Sequence, residues 1–187
     1  MGAGGDRPHR VFVYGTLKRG FYNHCFLEEK SASFVGTART RDPMRLVLGE
    51  YGIPYLMPEG EASGPVAGEL WRVDDDALDA LDVLEGVDEG MYARVRLQLV
   101  LDASPGEPEP EPADVDAFGY VAGAESIARG VGDESCEPIP AYDLETHEAA
   151  YVPKARRAAG SLGTKGCLLY TSPSPRDVEE SRMPSSA

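Results

Sequence analysis

The chain has 187 residues, a hydrophobic fraction of 42% and a formal charge of −14, with a pI near 4.6. That length favours one domain with a proper core. So negative a charge argues against nucleic acid or an anionic membrane as partner, and no apolar run is long enough for a membrane span or a secretory signal. Cys25, Cys136 and Cys167 are far apart and form no C-x-x-C pair, and His9, His24 and His147 lack ligand spacing. The expectation is a soluble, cytoplasmic protein with no metal site. The sequence is silent on oligomeric state.

Residues 1–9 are Gly-rich and polar, a flexible leader to a domain spanning 10–157. Val11 to Tyr14 are β-formers with no polar face, as in a strand buried on both sides. Gly15 breaks the run, and Thr16 to Gly20 is a short loop whose amides can cradle an anionic or carbonyl oxygen. Gly15 and Gly20 have phosphate-loop spacing, but Phe21 and Tyr22 stand where Lys and Ser or Thr are needed, which rejects nucleotide binding. Phe21 to Lys30 suggests a short helix with Phe26 and Leu27 inward. Strands are expected over Ser33–Arg41 and Met44–Leu48, with a turn at Gly49–Gly52. Pro54 makes Ile53–Met57 an edge strand or a loop, and Glu59–Pro65 reads as a turn segment.

Val66–Val73 reads as a strand, and Asp74-Asp75-Asp76 opens a helix whose apolar stripe is Leu78, Leu81 and Leu84. Gly86 is its natural stop. Tyr92–Leu101 alternates clearly: Val95, Leu97, Leu99 and Leu101 on one face, Arg94, Arg96 and Gln98 on the other. Residues 103–114 form an acidic Pro-rich loop that cannot join a core, and Val115–Val121 returns as a strand. Tyr142–Arg157 reads as a short helix or an arm packed by Tyr142, Leu144 and Tyr151. From Ser161 the text changes: CLLYTSPSPRD and SRMPSSA resemble translated sequencing-adaptor read-through. We treat 158–187 as a disordered or artefactual tail.

Glu85 is the residue that departs from pattern. At about 100° per residue it lies about 20° from Leu78 around the helix axis, inside the apolar stripe. Asp79 and Asp82 fall on the polar side or its edge and call for no explanation. Burial and the negative end of the helix dipole both disfavour the Glu85 carboxylate, so its pKa is expected above the ordinary 4.3 or so. A frayed last turn that lets Glu85 reach water is the competing reading.

Tyr14-Gly15-Thr16-Leu17 after an apolar strand resembles the opening motif of the γ-glutamyl cyclotransferase-like family, which includes γ-glutamylamine cyclotransferases and AIG2-like proteins. Leu81-Asp82-Val83-Leu84-Glu85, followed by Tyr92-Ala93-Arg94, is similar to its Leu-Asp-x-x-Glu and Tyr-x-Arg pattern. The likeness spans roughly residues 10 to 122. It implies an α+β fold, a small mixed β-sheet curled into a barrel with short flanking helices. It also implies conversion of a small-molecule γ-glutamyl amine or peptide to 5-oxoproline and free amine, with no cofactor. Glu85 would be the catalytic acid/base, and Tyr14, Gly15, Thr16, Leu17, Lys18 and Arg19 the substrate loop. Tyr92 would line the pocket. Lys18 or Arg19 would attract the α-carboxylate or else remain solvated charges. Two further readings stay open: the same chemistry on another γ-glutamyl compound, and a non-catalytic AIG2-like binding protein that keeps the cavity.

Overall fold

The structure is a computed structural model that describes residues 7–58, 64–102, 114–134, 136–153 and 156–157. The Pro-rich loop (bar Asp114, which opens a strand), the tail from 158 and most of the turn segment at 59–65 lie outside the described residues.

Strand β1 (His9–Val13) begins one residue earlier than the expected domain start. It pairs antiparallel with β5 (Ala67–Val73), which pairs with β2 (Ser33–Thr40), then β6 (Tyr92–Leu101) and β7 (Asp114–Ala122). A parallel bridge from Phe118 to Val11 closes the ring. β3 (Arg45–Leu48) and β4 (Pro54–Met57) form a separate two-stranded sheet. The fold is therefore α+β, a closed mixed barrel with short helices, as the motifs implied.

β1 is buried on both faces for a simple reason. Val11 and Val13 join Trp71, Val73 and Tyr120 in one apolar cluster, while Phe12 and Tyr14 join Leu70, Leu99 and Ala117 in another. Alternate residues serve opposite faces of a strand, so the sheet itself separates two cores.

Helix α2 (Asp75–Glu85) covers the first of these cores. Asp74 caps it, accepting from the Ala77 amide at 2.8 Å. Leu78, Leu81 and Leu84 are buried, contributing roughly 2 kcal/mol each by transfer from water. Gly86 ends the helix at φ 65°, a left-handed conformation that costs a glycine little.

Ile53–Met57 takes the edge-strand form of the two that were expected, from Pro54 onward in a two-stranded sheet, and all four residues of β4 are buried. Pro54 is tolerated as its first residue, where no ladder donor is required of it. The first helix is a single turn and a half, α1 (Cys25–Glu29), with Leu27 buried and Phe26 half-buried. α3 (Ala124–Ala128) has no sequence counterpart, since five residues are too few to show a period. At the C-terminal end, α4 (Leu144–Ala150) leads into an extended arm. Tyr142 is fully buried and donates to Gly52 O at 3.0 Å, but Leu144 is exposed rather than packed. No helix among the described residues is long and apolar enough to cross a membrane.

Gly15 shows how tightly the strand end meets β4. A Cβ there would lie 2.7 Å from Pro54 Cγ, which forces a shift of the backbone or of the proline ring. Gly15→Ala is expected to cost about 1–3 kcal/mol and to lower the thermal midpoint, as read by calorimetry.

Candidate active site

β1 delivers Tyr14 and the loop that follows to one end of the barrel, where they form a pocket with Pro54 and the last residue of α2. The space accessible to solvent within it is about 50 Å³. Its wall brings together Tyr14, Gly15, Thr16, Leu17, Glu85 and Tyr92. Those six candidates were read from three separate stretches of sequence.

Glu85 as a whole residue keeps partial exposure because it lines the pocket. Its carboxyl is nonetheless enclosed by protein, and burial pushes its pKa up to about 7. Three buried tyrosines surround it, and none of their hydroxyls is free to donate to it. Tyr14 donates to Tyr120 O at 2.7 Å, Tyr92 donates to Pro54 O at 3.0 Å, and Tyr120 donates to Asp82 Oδ1 at 2.8 Å. Burial raises the pKa of all three, and the nearby Glu85 charge adds to the rise. A desolvated carboxyl without donors is the arrangement that stabilises its neutral form.

The loop supplies the opposite chemistry. Gly15, Thr16 and Leu17 line the pocket, and their backbone N–H groups donate to no partner among the described residues. Unpaired amides beside a reacting carbonyl are suited to an oxyanion. The loop is held from behind, with the Asn23 amide nitrogen donating to Thr16 Oγ1 at 2.8 Å and the Asn23 main-chain N–H to Thr16 O at 2.9 Å.

Lys18 and Arg19 do not join the others. Lys18 Nζ donates to Tyr142 O and lies 4.7 Å from the Phe21 ring centre, partly buried, so that burial lowers its pKa. Arg19 bonds Glu69 through its main-chain N–H and its Nε, at 3.1 and 3.0 Å, and stacks on Phe34. Lys18 is not a solvated charge, Arg19 is ion-paired yet half exposed, and neither lines the pocket.

The site also holds residues that sequence reasoning missed: Asn23, Tyr120, Tyr151 and Arg157. Asp82, set aside on the polar edge of α2, accepts from Tyr120 and pairs with Arg94 at 2.7 Å. That bond orients one wall of the pocket. The Tyr-x-Arg pattern at 92–94 carried a signal for Arg94, but nothing in the sequence pointed to Tyr120 or Arg157.

A family model described as gamma-glutamyl cyclotransferase, AIG2-like, matches residues 11–143. The chain belongs to this family. Among curated relatives, the γ-glutamylaminecyclotransferase of Homo sapiens is 42% identical over 105 residues, covering 53% of this chain and 68% of that one. γ-Glutamylaminecyclotransferase B of Danio rerio is 40% identical over 109 residues, covering 56% of each. Some alignments span only about half the length of the curated relatives. The crystal structure of an AIG2-like protein from Mus musculus superposes with a TM-score of 0.63 at 32% identity, covering 80% of this chain and 98% of that one. The family match includes every residue of the Glu85 pocket named so far except Tyr151 and Arg157, which come from the arm beyond it.

Proposed function

We propose that the chain is a γ-glutamyl cyclotransferase that releases 5-oxoproline and a free amine from a γ-glutamyl amine or peptide. The observation that carries the reading is Glu85: a buried carboxyl with its pKa near 7, sharing one pocket with loop residues whose amides are unpaired among the described residues.

The substrate carries both its nucleophile and its electrophile. Folding it into a ring-closing shape supplies much of the rate, because the reacting atoms need not find each other. Glu85 takes a proton from the α-ammonium, and the freed amine attacks the γ-carbonyl. A nitrogen–carbon bond forms, and the carbonyl oxygen becomes an oxyanion held by the Gly15–Leu17 amides. The proton on Glu85 passes to the departing nitrogen as the original amide bond breaks. The ring nitrogen gives up its second proton to the regenerated Glu85 carboxylate, which hands it to the released amine or to water. A group with a pKa near 7 serves both steps at neutral pH, since it is neither fully ionised nor fully protonated.

The test is a panel of γ-glutamyl amines and γ-glutamyl dipeptides, with 5-oxoproline as readout and pH as the variable. On the best substrate, kcat/KM is expected to rise with pH through a limb near 7, the ionisation of the free enzyme's base. The α-ammonium titrates on the alkaline side. Turnover without that limb removes Glu85 as the base. Specific binding without turnover across the panel leaves the protein a binding module.

A further inference from the structure

Two buried polar atoms in the pocket wall have no hydrogen-bond partner among the described residues: Oδ1 of Asn23 and Nη1 of Arg157. Each is held in place by the rest of its side chain. Asn23 is 8% exposed, its Nδ2 donates to Thr16 Oγ1, and Oδ1 is left without a donor. Arg157 donates from Nε to Val152 O at 2.8 Å, and its guanidinium lies 5.4 and 5.6 Å from the ring centres of Tyr51 and Tyr151. Both side chains act on the Tyr151 hydroxyl: burial raises its pKa, while the Arg157 charge and hydrogen bonding by Asn23 and Arg157 counter the rise. Both side chains thus reach one hydroxyl, and each keeps one atom, Oδ1 of Asn23 and Nη1 of Arg157, without a partner among the described residues.

Buried polar groups without partners are costly, and a pair of them in a pocket wall points to a ligand that completes both. The complement of a neutral acceptor beside a guanidinium is an ammonium beside a carboxylate. We propose that Asn23 and Arg157 form the receptor for the α-amino-acid head of the substrate, Arg157 taking the α-carboxylate and Asn23 one hydrogen of the α-ammonium. The proposal rests on the cyclotransferase reading for the identity of that head group. An ammonium has three hydrogens, so Asn23 holds the nitrogen while Glu85 removes a different proton. Arg157 forms no ion pair with a carboxylate among the described residues, so its charge remains for the substrate. A planar guanidinium also suits a carboxylate better than Lys18 would, which is bonded elsewhere. Arg157 thus decides specificity: it selects γ-glutamyl compounds over amides that lack the carboxylate. It lies beyond the 11–143 span of the family match, so the arm completes the site.

The test uses the full chain as wild type, Arg157→Met and Arg157→Lys. Calorimetry compares 5-oxoproline with 2-pyrrolidinone, the same lactam without the carboxylate, and kinetics compare a γ-glutamyl amide with the matching 4-aminobutyryl amide. Arg157→Met is expected to lose roughly 10- to 100-fold in 5-oxoproline affinity, the weight of a charge-assisted bond, with 2-pyrrolidinone unchanged. Arg157→Lys recovers part of the loss, and the kinetic defect falls on KM more than kcat. Unchanged 5-oxoproline binding in Arg157→Met, equal loss of both lactams, or no 5-oxoproline binding by the wild type overturns the receptor. Turnover with an unchanged preference for the glutamyl substrate overturns it too and leaves the cyclotransferase reading intact. Arg157-dependent binding of 5-oxoproline without turnover of any γ-glutamyl amide supports the receptor and sinks the reaction.

Discussion

Glu85→Gln is expected to lower 5-oxoproline formation by about 10²- to 10⁴-fold, the range that a positioned acid/base contributes, while the barrel stays folded. Gln preserves the length and branching of the side chain and carries no proton that it can exchange near neutrality. Among the described residues the pocket's other titratable groups are tyrosines and Arg157, and burial raises the pKa of the Tyr151 hydroxyl too. The hydroxyls of Tyr14, Tyr92 and Tyr120 are committed to Tyr120 O, Pro54 O and Asp82, and burial raises the pKa of each well away from neutrality. Glu85→Asp is the sharper comparison. It keeps the acid but retracts it by one methylene, and a misplacement of about 1 Å can cost on the order of 100-fold. Full activity in Glu85→Gln, read as initial rates with matched circular dichroism spectra, would reduce Glu85 to a helix-end residue.

The parts of this site that the sequence made legible are those encoded over short spans. Asp74, the Leu78–Leu81–Leu84 stripe and Gly86 lie within thirteen residues, so cap, face and stop of α2 follow from local rules. The 20° offset between Leu78 and Glu85 follows from the same periodicity. β6 is similar, because strict alternation declares both faces at once. What stayed hidden depends on groups that only the closed barrel brings together. Lys18 reads as a solvated charge or a carboxylate receptor, and nothing near it in sequence announces Tyr142 O. Arg19 stays half exposed, but its partner Glu69 is equally hidden. Asp82 looked idle because its partners, Tyr120 and Arg94, sit on β7 and β6. Barrel closure through the Val11–Phe118 bridge joins the first strand to the last, and no pattern within either strand announces it. Arg157 follows a stretch with no period at all, so its place in the pocket had no signal to carry it.

The buried acid also leaves a thermodynamic signature that is independent of turnover. Its pKa rises from 4.5 to about 7 on folding, because the desolvated pocket disfavours the carboxylate. A raised acid stabilises the folded state fully only below the unfolded value. Between pH 4.5 and 7 the unfolded chain ionises while the folded one does not, so stability falls as pH rises. Above the folded value both states are ionised and the loss is complete. At roughly 1.4 kcal/mol per pH unit, the penalty is on the order of 3 kcal/mol at pH 8. Gln carries no such penalty. Glu85→Gln is therefore expected to match the wild type at pH 4 and to exceed it by up to about 3 kcal/mol at pH 8, several degrees in Tm. Other groups titrate over the same range, but they are common to both proteins and cancel in the difference. Denaturant melts of the two proteins at matched pH values check this directly. A constant difference from pH 4 to pH 8 would mean that Glu85 ionises as freely in the folded protein as in water, and the proton transfer assigned to it would lose its physical basis. A difference that opens between pH 4.5 and 7, alongside the loss of turnover, ties one carboxyl to both: an acid held in a place that the folded chain tolerates poorly once it is charged, and where the reaction needs it.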